Sequence, residues 1–318
     1  MLSTDPFEVP KYLETLARKV PGVAVAVAGA DHPVSLESAK RAAETGAIEP
    51  VLIGDSETIH ALAADSGWEL TDTRILHEPV EEKKAEVAAA LAKGHEVAVI
   101  MKGHVHTDTL MRAVLRRDSG LRTERRTSHV FHMTVPGREG VLHVTDAVVN
   151  VQPNADEMID IINNAVDLAH ALGTEVPHIA LLSGAEVVNP SMPSSVQASQ
   201  VTARAVAGEV TGAIVDGPFG LDNAISRDAA QLKGIDSPVA GNADILVVPN
   251  IEAGNILFKQ MVYFLSATAA GVVMGTKVPI VLTSRADPPE ARLAAMFIAA
   301  IVAANSPTDE ITDSSIGP

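Results

Sequence analysis

A chain of 318 residues exceeds most single cores, so two domains or two lobes sharing a cleft are expected. Apolar residues make up 47% but aromatics only 3%, so the core is built from Ala, Val, Ile and Leu, and the absence of cysteine excludes disulfides, thiolate metal sites and a cysteine nucleophile. A formal net charge of −16 disfavours nucleic acid and anionic membranes, which need a basic face, and requires any anion site to be locally positive. Residues 1–10 carry Asp5 and Glu8 and no apolar run after basic residues, so no signal peptide is read there. The most apolar stretch, 293–304, has 12 residues, short of the about 20 that span a bilayer. A cytoplasmic location is expected, since cysteine-free chains suit a reducing compartment.

In chain order, short β-branched runs alternate with amphipathic ones. Residues 23–28 predict a strand and 35–44 a helix with Ser35 as N-cap. A strand follows at 51–53, a helix at 81–93 and a buried strand at 96–101. The middle is less regular: 129–133 and 142–149 read as strands of an antiparallel insertion. Alternation resumes with a helix at 156–172, a strand at 178–182, a helix at 196–207, a strand at 213–215 and a helix at 222–230. It ends with a strand at 244–248, a helix at 254–268, a strand at 279–283 and a helix at 288–304. The rhythm predicts an α/β fold with a mostly parallel sheet covered on both faces. The lobe boundary is read at 140–150, with the last helix packing back on the first lobe.

Ligands of open parallel sheets sit beyond the carboxyl ends of strands. After residue 101 come Lys102, Gly103, His104, Val105, His106 and Thr107, with a helix from about Asp108. Gly103 admits a close ligand, Thr107 is a candidate cap, and Lys102 adds charge; an ordinary capped turn is the equal alternative. His129 and His132 are read as structural. After residue 283, Asp287 and Glu290 form a capping-box-like start with Pro288 at the first helical position, which leaves Ser284 and Arg285 without a structural role. Arg285 is read as a bidentate anion ligand, against a salt bridge to Asp287. Asn255 is either a helix cap or a substrate hydrogen bond. Two dinucleotide and phosphate-loop signatures and the Gly-x-Ser-x-Gly elbow are absent from the sequence.

Taken together, several segments resemble the phosphate acetyl/butyryltransferase family, closer to its butyryl branch. They are Lys102-Gly103 with Thr107, Ser128-His129-Val130, Asp146-Ala147 with Asn150 and Pro153, and 185–190. Gly217-Pro218 with Asp222, 241–244, 249–255 and 284–287 continue the series in order. The resemblance implies two three-layer α/β lobes with mostly parallel sheets around a cleft, as in isocitrate and isopropylmalate dehydrogenases. The first lobe is expected to comprise residues 1–145 with 283–318, and the second 146–282. It implies the reaction acyl-CoA plus phosphate to acyl phosphate plus CoA, by direct attack in a ternary complex. It also implies no bound cofactor or metal, CoA and phosphate as substrates, and a homodimer or larger. Ser284 and Arg285 would be catalytic and hold the acyl phosphate; Lys102, Thr107, Ser128, Asn150 and Asn255 would bind substrate. Where acetyl-specific members carry an aspartate proposed as the base, this chain has Ala291, and where they have tyrosine it has Phe258. The alternatives are a metal- and nicotinamide-dependent decarboxylating dehydrogenase, with Asp216 and Asp222 as metal ligands, and a catalytically silent CoA- or acyl-phosphate-binding protein.

Overall fold

The computed structural model describes residues 2–283 and 287–306. Its strands are β1 (Val23–Ala28), β2 (Ile48–Gly54), β3 (Arg74–His77), β4 (Val99–Lys102), β5 (Ser128–Thr134), β6 (Leu142–Thr145), β7 (His178–Leu182), β8 (Ile214–Phe219), β9 (Ile245–Val247), β10 (Thr268–Met274) and β11 (Ile280–Val281). Its helices are α1 (Lys11–Ala17), α2 (Pro33–Ala43), α3 (Ser56–Asp65), α4 (Glu81–Lys93), α5 (Thr107–Leu115), α6 (Ala155–Ala171), α7 (Pro193–Arg204), α8 (Leu221–Ile225), α9 (Arg227–Leu232), α10 (Ile251–Leu265) and α11 (Pro289–Asn305).

All the strands join one sheet in the order β3-β2-β1-β4-β11-β10-β5-β6-β9-β7-β8. Two parallel blocks, β3-β2-β1-β4-β11 and β6-β9-β7-β8, are joined through the antiparallel pairs β11–β10, β10–β5 and β5–β6. Most residues of Val-Ala-Val-Ala-Val-Ala in β1 are buried, as expected of a strand covered on both faces. The expected antiparallel pair forms, but β6 ends at Thr145 and not at 149, and the pair lies at the centre of the sheet and not as an insertion.

Residues Ala291–Val302 of α11 are all buried, which accounts for the most apolar stretch of the sequence. This helix packs on β10, β11, α1 and α2. An apolar surface around the whole helix is what a fully enclosed core helix needs.

Several expectations are corrected. The second helix begins at Pro33 with His32 as N-cap, not Ser35; His32 Nδ1 accepts the Val34 amide at 3.3 Å. The helix expected from 254 begins at Ile251, because the Asn250 side chain accepts the Ala253 amide at 2.9 Å. Asn255 is therefore inside α10 and does not cap it. Gly254 marks close packing: a Cβ there would lie 2.8 Å from Ala147 Cβ. The helix expected at 222–230 splits at Ser226, whose hydroxyl accepts the Ala229 amide.

Four elements were not read from the sequence: α1, α3, β3 and β10. The Thr-Ala-Ala start of β10 looks like a continuation of α10. Ser266 in a left-handed conformation (φ 49°) ends that helix, and Gly271 makes room for the His129 ring, which a Cβ would approach to 2.5 Å. Neither cause is visible in local propensity.

Candidate active site

The chain steps from β1 to β2 on one side and returns to β4 on the other. This leaves a crevice outside the carboxyl ends of β1 and β4, where open α/β sheets take ligands. The two strand ends are held close: Gly103 donates to Ala28 O and His104 to Gly29 O, both at 2.9 Å. A Cβ on Gly103 would sit 2.4 Å from Gly29 O. Gly103→Ala is thus expected to cost several kcal/mol, like other strained or overpacked substitutions. A fall in thermal midpoint of about 5 °C or more checks it; an unchanged midpoint would mean that the crevice can widen freely.

A cavity of about 280 Å³ opens there. Met101, Lys102 and Gly103 bring it the end of β4, His32, Val34 and Ser35 the start of α2, and Thr283 the end of the β11 segment. Arg292, on the first turn of α11, completes the wall. Lys102 is 6% exposed and Arg292 7% exposed, so two cations are buried around one small space. Lys102 Nζ makes a long contact of 3.4 Å to Gly103 O, and Arg292 Nη2 donates to Asp287 O. Burial pulls the Arg292 guanidinium below its usual value, opposed by the charges of Asp287 and Glu290. Glu290 in turn lies 3.7 Å from Arg41. His32 and His104 stack with centroids 4.2 Å apart and planes 9° apart. Among the described residues, no Asp or Glu lines the cavity.

Of the residues singled out in the sequence, Lys102 lies in this cavity. Ser284 and Arg285 lie outside the described residues; Thr283, which precedes them, is a wall residue. Thr107 is exposed and opens α5 as its first residue, with His106 and not Thr107 in the capping position. Glu81 takes the His106 amide at 2.7 Å instead, and that donor is the main reason its carboxyl stays below the usual range. Asp287 likewise does not cap α11: Pro288 holds the N-cap position and Pro289 the first turn.

Ser128 and Asn150 come together at the other edge of the sheet. The cross-strand row Met101–Val281–Val272–Val130 has Lys102 beyond it on one side and Ser128 on the other. Ser128 Oγ accepts from Asn164 Nδ2 at 2.8 Å. Asn150 Nδ2 donates to Asp146 Oδ2 at 2.7 Å and to Thr127 O at 3.0 Å, and Arg126 Nε donates to its Oδ1. Asp146 also takes the amides of Val148 and Val149 at 2.8 and 3.0 Å. This network braces the turn after β6. A larger cavity, about 860 Å³, lies near Thr276 and Lys277, but its Arg125 is already paired with Asp167.

Arg292 is the residue that sequence reasoning missed. It reads as an ordinary helix charge, and its only local signal is that it opens an otherwise uncharged run from 293 to 304. Among the described residues, no group of three or more His, Asp or Glu side chains could hold a metal ion. Asp216 accepts its neighbour's amide at 2.8 Å, and Asp222 pairs with Lys233 at 3.1 Å.

Residues 64–300 match the profile of the family described as phosphate acetyl/butaryl transferase. A phosphate acetyltransferase of Rhizobium meliloti is 42% identical over 300 residues, covering 94% of this chain and 95% of that protein. A phosphate butyryltransferase of Clostridium acetobutylicum is 39% identical over 293 residues, covering 92% and 97%. Among solved structures, a branched-chain phosphotransacylase from Enterococcus faecalis V583 superposes with a TM-score of 0.76 at 34% identity, covering 88% of this chain and 99% of that one.

Proposed function

The chain belongs to the phosphate acetyl/butyryl transferase family, and we propose from this premise that it moves a short acyl group between CoA and inorganic phosphate. The observation that carries the reading is the carboxylate-free cavity with Lys102 and Arg292 buried in its wall. Anionic substrate groups offset the cost of burying such cations, and the cations in turn stabilise those charges. Ser284 and Arg285 lie outside the described residues, and their place in the sequence directly after wall residue Thr283 supports assigning them to the same phosphate. Held there, phosphate leaves the acyl carbon as its charge grows, against preorganised cations. The cavity orients acyl phosphate and CoA for direct attack, which lowers the barrier by positioning.

The two parallel blocks support two α/β lobes around a cleft, of the isocitrate and isopropylmalate dehydrogenase type. We assign residues 1–145 with 283–318 to one lobe and 146–282 to the other. The pairing of β10 and β11 beside β4 argues for drawing the return to the first lobe earlier, before Thr268. Exposed Ile256, Tyr263 and Phe264 on α10 support a homodimer or larger assembly in the cytoplasm. Thr107, Ser128, Asn150 and Asn255 remain substrate-binding candidates only where a closed cleft brings them to CoA.

The test is CoA release on adding phosphate to acetyl-, propionyl- and butyryl-CoA in parallel. Phosphate-dependent release with at least one is expected. Release with none would overturn the acyltransferase reading, and nicotinamide reduction in its place would favour the dehydrogenase alternative.

A further inference from the structure

We propose that Arg292 is a catalytic residue of this transfer, its buried guanidinium holding the sulfur of CoA as the thiolate. The inference rests on the acyltransferase reading and deepens it. The reaction brings two anions to one place, a phosphate and a thiolate sulfur. The cavity supplies two buried cations from different elements, Lys102 at the end of β4 and Arg292 on α11. Lys102 is a compact charge suited to hard phosphate oxygen; a guanidinium is delocalised and weakly hydrated, which suits a polarisable sulfur in a dry site. Arg292 is also fixed in direction, because Nη2 donates to Asp287 O.

A carboxylate base has no place in the wall: no Asp or Glu lines the cavity among the described residues, and position 291 is a buried alanine. Among the described residues, the charged and titratable groups around Arg292 are Asp287 and Glu290 on its own segment, Arg41 on α2, Lys102, and the stacked His32 and His104. His32 Nδ1 is engaged with the Val34 amide.

The steps balance without a protein base. The S–H proton leaves to solvent hydroxide or a buffer base, and the sulfur keeps the electron pair beside Arg292. The thiolate attacks the acyl carbon of the acyl phosphate. A C–S bond forms, the C–O bond to phosphorus-bound oxygen breaks, and phosphate departs with that pair. In reverse, phosphate oxygen attacks the thioester, and the thiolate leaves against the same guanidinium without needing a proton.

The experiment is the pH profile of kcat in the CoA-consuming direction, because kcat reports groups in the bound complex. The parent protein is first shown to release CoA with phosphate; its failure there would count against the acyltransferase reading and not against Arg292. In the parent, the ascending limb is expected well below the about 8.5 of an ordinary thiol. Arg292→Gln is expected to move the limb up by a unit or more and lower kcat at pH 7 by at least tenfold, with the KM for acyl phosphate within about threefold. Arg292→Lys, which keeps a cation, is expected to restore most of the shift; its recovery also shows that the loss is not one of folding. An unmoved limb in Arg292→Gln, or a KM for acyl phosphate raised at unchanged limb, overturns the proposal. So does loss of the limb in His104→Gln, which would make His104 the base.

Discussion

Arg285→Ala is expected to lower turnover by two to three orders of magnitude, and by at least as much as it weakens phosphate binding. The size follows from removing one preorganised donor aimed at growing transition-state charge, which costs roughly 10²–10³ in kcat. Arg285 follows wall residue Thr283 by two positions, a reach of about 7 Å of chain. That position in the sequence supports its assignment to the phosphate; Arg285 itself lies outside the described residues. Steady-state kinetics over a range of phosphate concentrations give the answer. Equal losses in kcat and kcat/KM mean that the arginine acts on the transition state; a raised KM with unchanged kcat means uniform binding only. Turnover unchanged at saturating substrate would remove Arg285 from catalysis. Lys102→Ala is the companion variant, and its effect should be less than additive with that of Arg285→Ala, because both neutralise one charge.

A drop in stability between pH 7 and pH 5 is the second large effect expected. His129, His132 and His143 are buried in the central pair β5–β6, at 0%, 1% and 4% exposure. Burial pulls the first and last down from 6.5 to about 4 and His132 well below its usual value, with His143 beside it adding to the effect. Both ring nitrogens of His129 lack a hydrogen-bond partner among the described residues. His132 is held by the Tyr12 hydroxyl, whose burial pushes it up and keeps it a donor. The folded-state values are depressed, so the unfolded chain binds more protons below about 6.5. Stability is full above that pH and falls as pH drops toward 4. Each histidine contributes about 2 kcal/mol of loss by pH 5. Carboxylates held low by hydrogen bonds, such as Glu81 and Glu186, lose their contribution only at lower pH. Urea midpoints at pH 7 and 5 test this, with His143→Leu expected to flatten the slope. A parent midpoint that does not change between the two would show that these imidazoles protonate without unfolding.

The sequence carried the architecture because parallel strands buried on both faces leave continuous apolar runs, and the helices between them have their own period. Val23–Ala28 and the run after Arg292 could be read directly. Strand-end logic also led to Lys102, since a lysine followed by glycine at a strand mouth is a local signal. Helix starts were less legible: His32 and Asn250 cap where Ser35 and Asn255 were expected, because a cap depends on the backbone turning toward a side chain and not on residue type alone. β10 was invisible because its alanines favour helix locally, and only pairing with β5 and β11 makes it a strand.

Composition, most of the order of elements and family membership were thus written in the chain itself. The tertiary structure alone decided which charges share a space. Arg292 lies 190 positions from Lys102, and its one local signal, the uncharged run that follows it, does not say that it meets a second cation. It becomes half of a cation pair because α11 is drawn into the core by its apolar surface, carrying its first turn to the crevice between β1 and β4. Topology likewise separates Ser128 from Lys102: two antiparallel steps through β10 leave β5 running the same way as β4, so the first residue of β5 and the last of β4 lie at opposite ends of the strands.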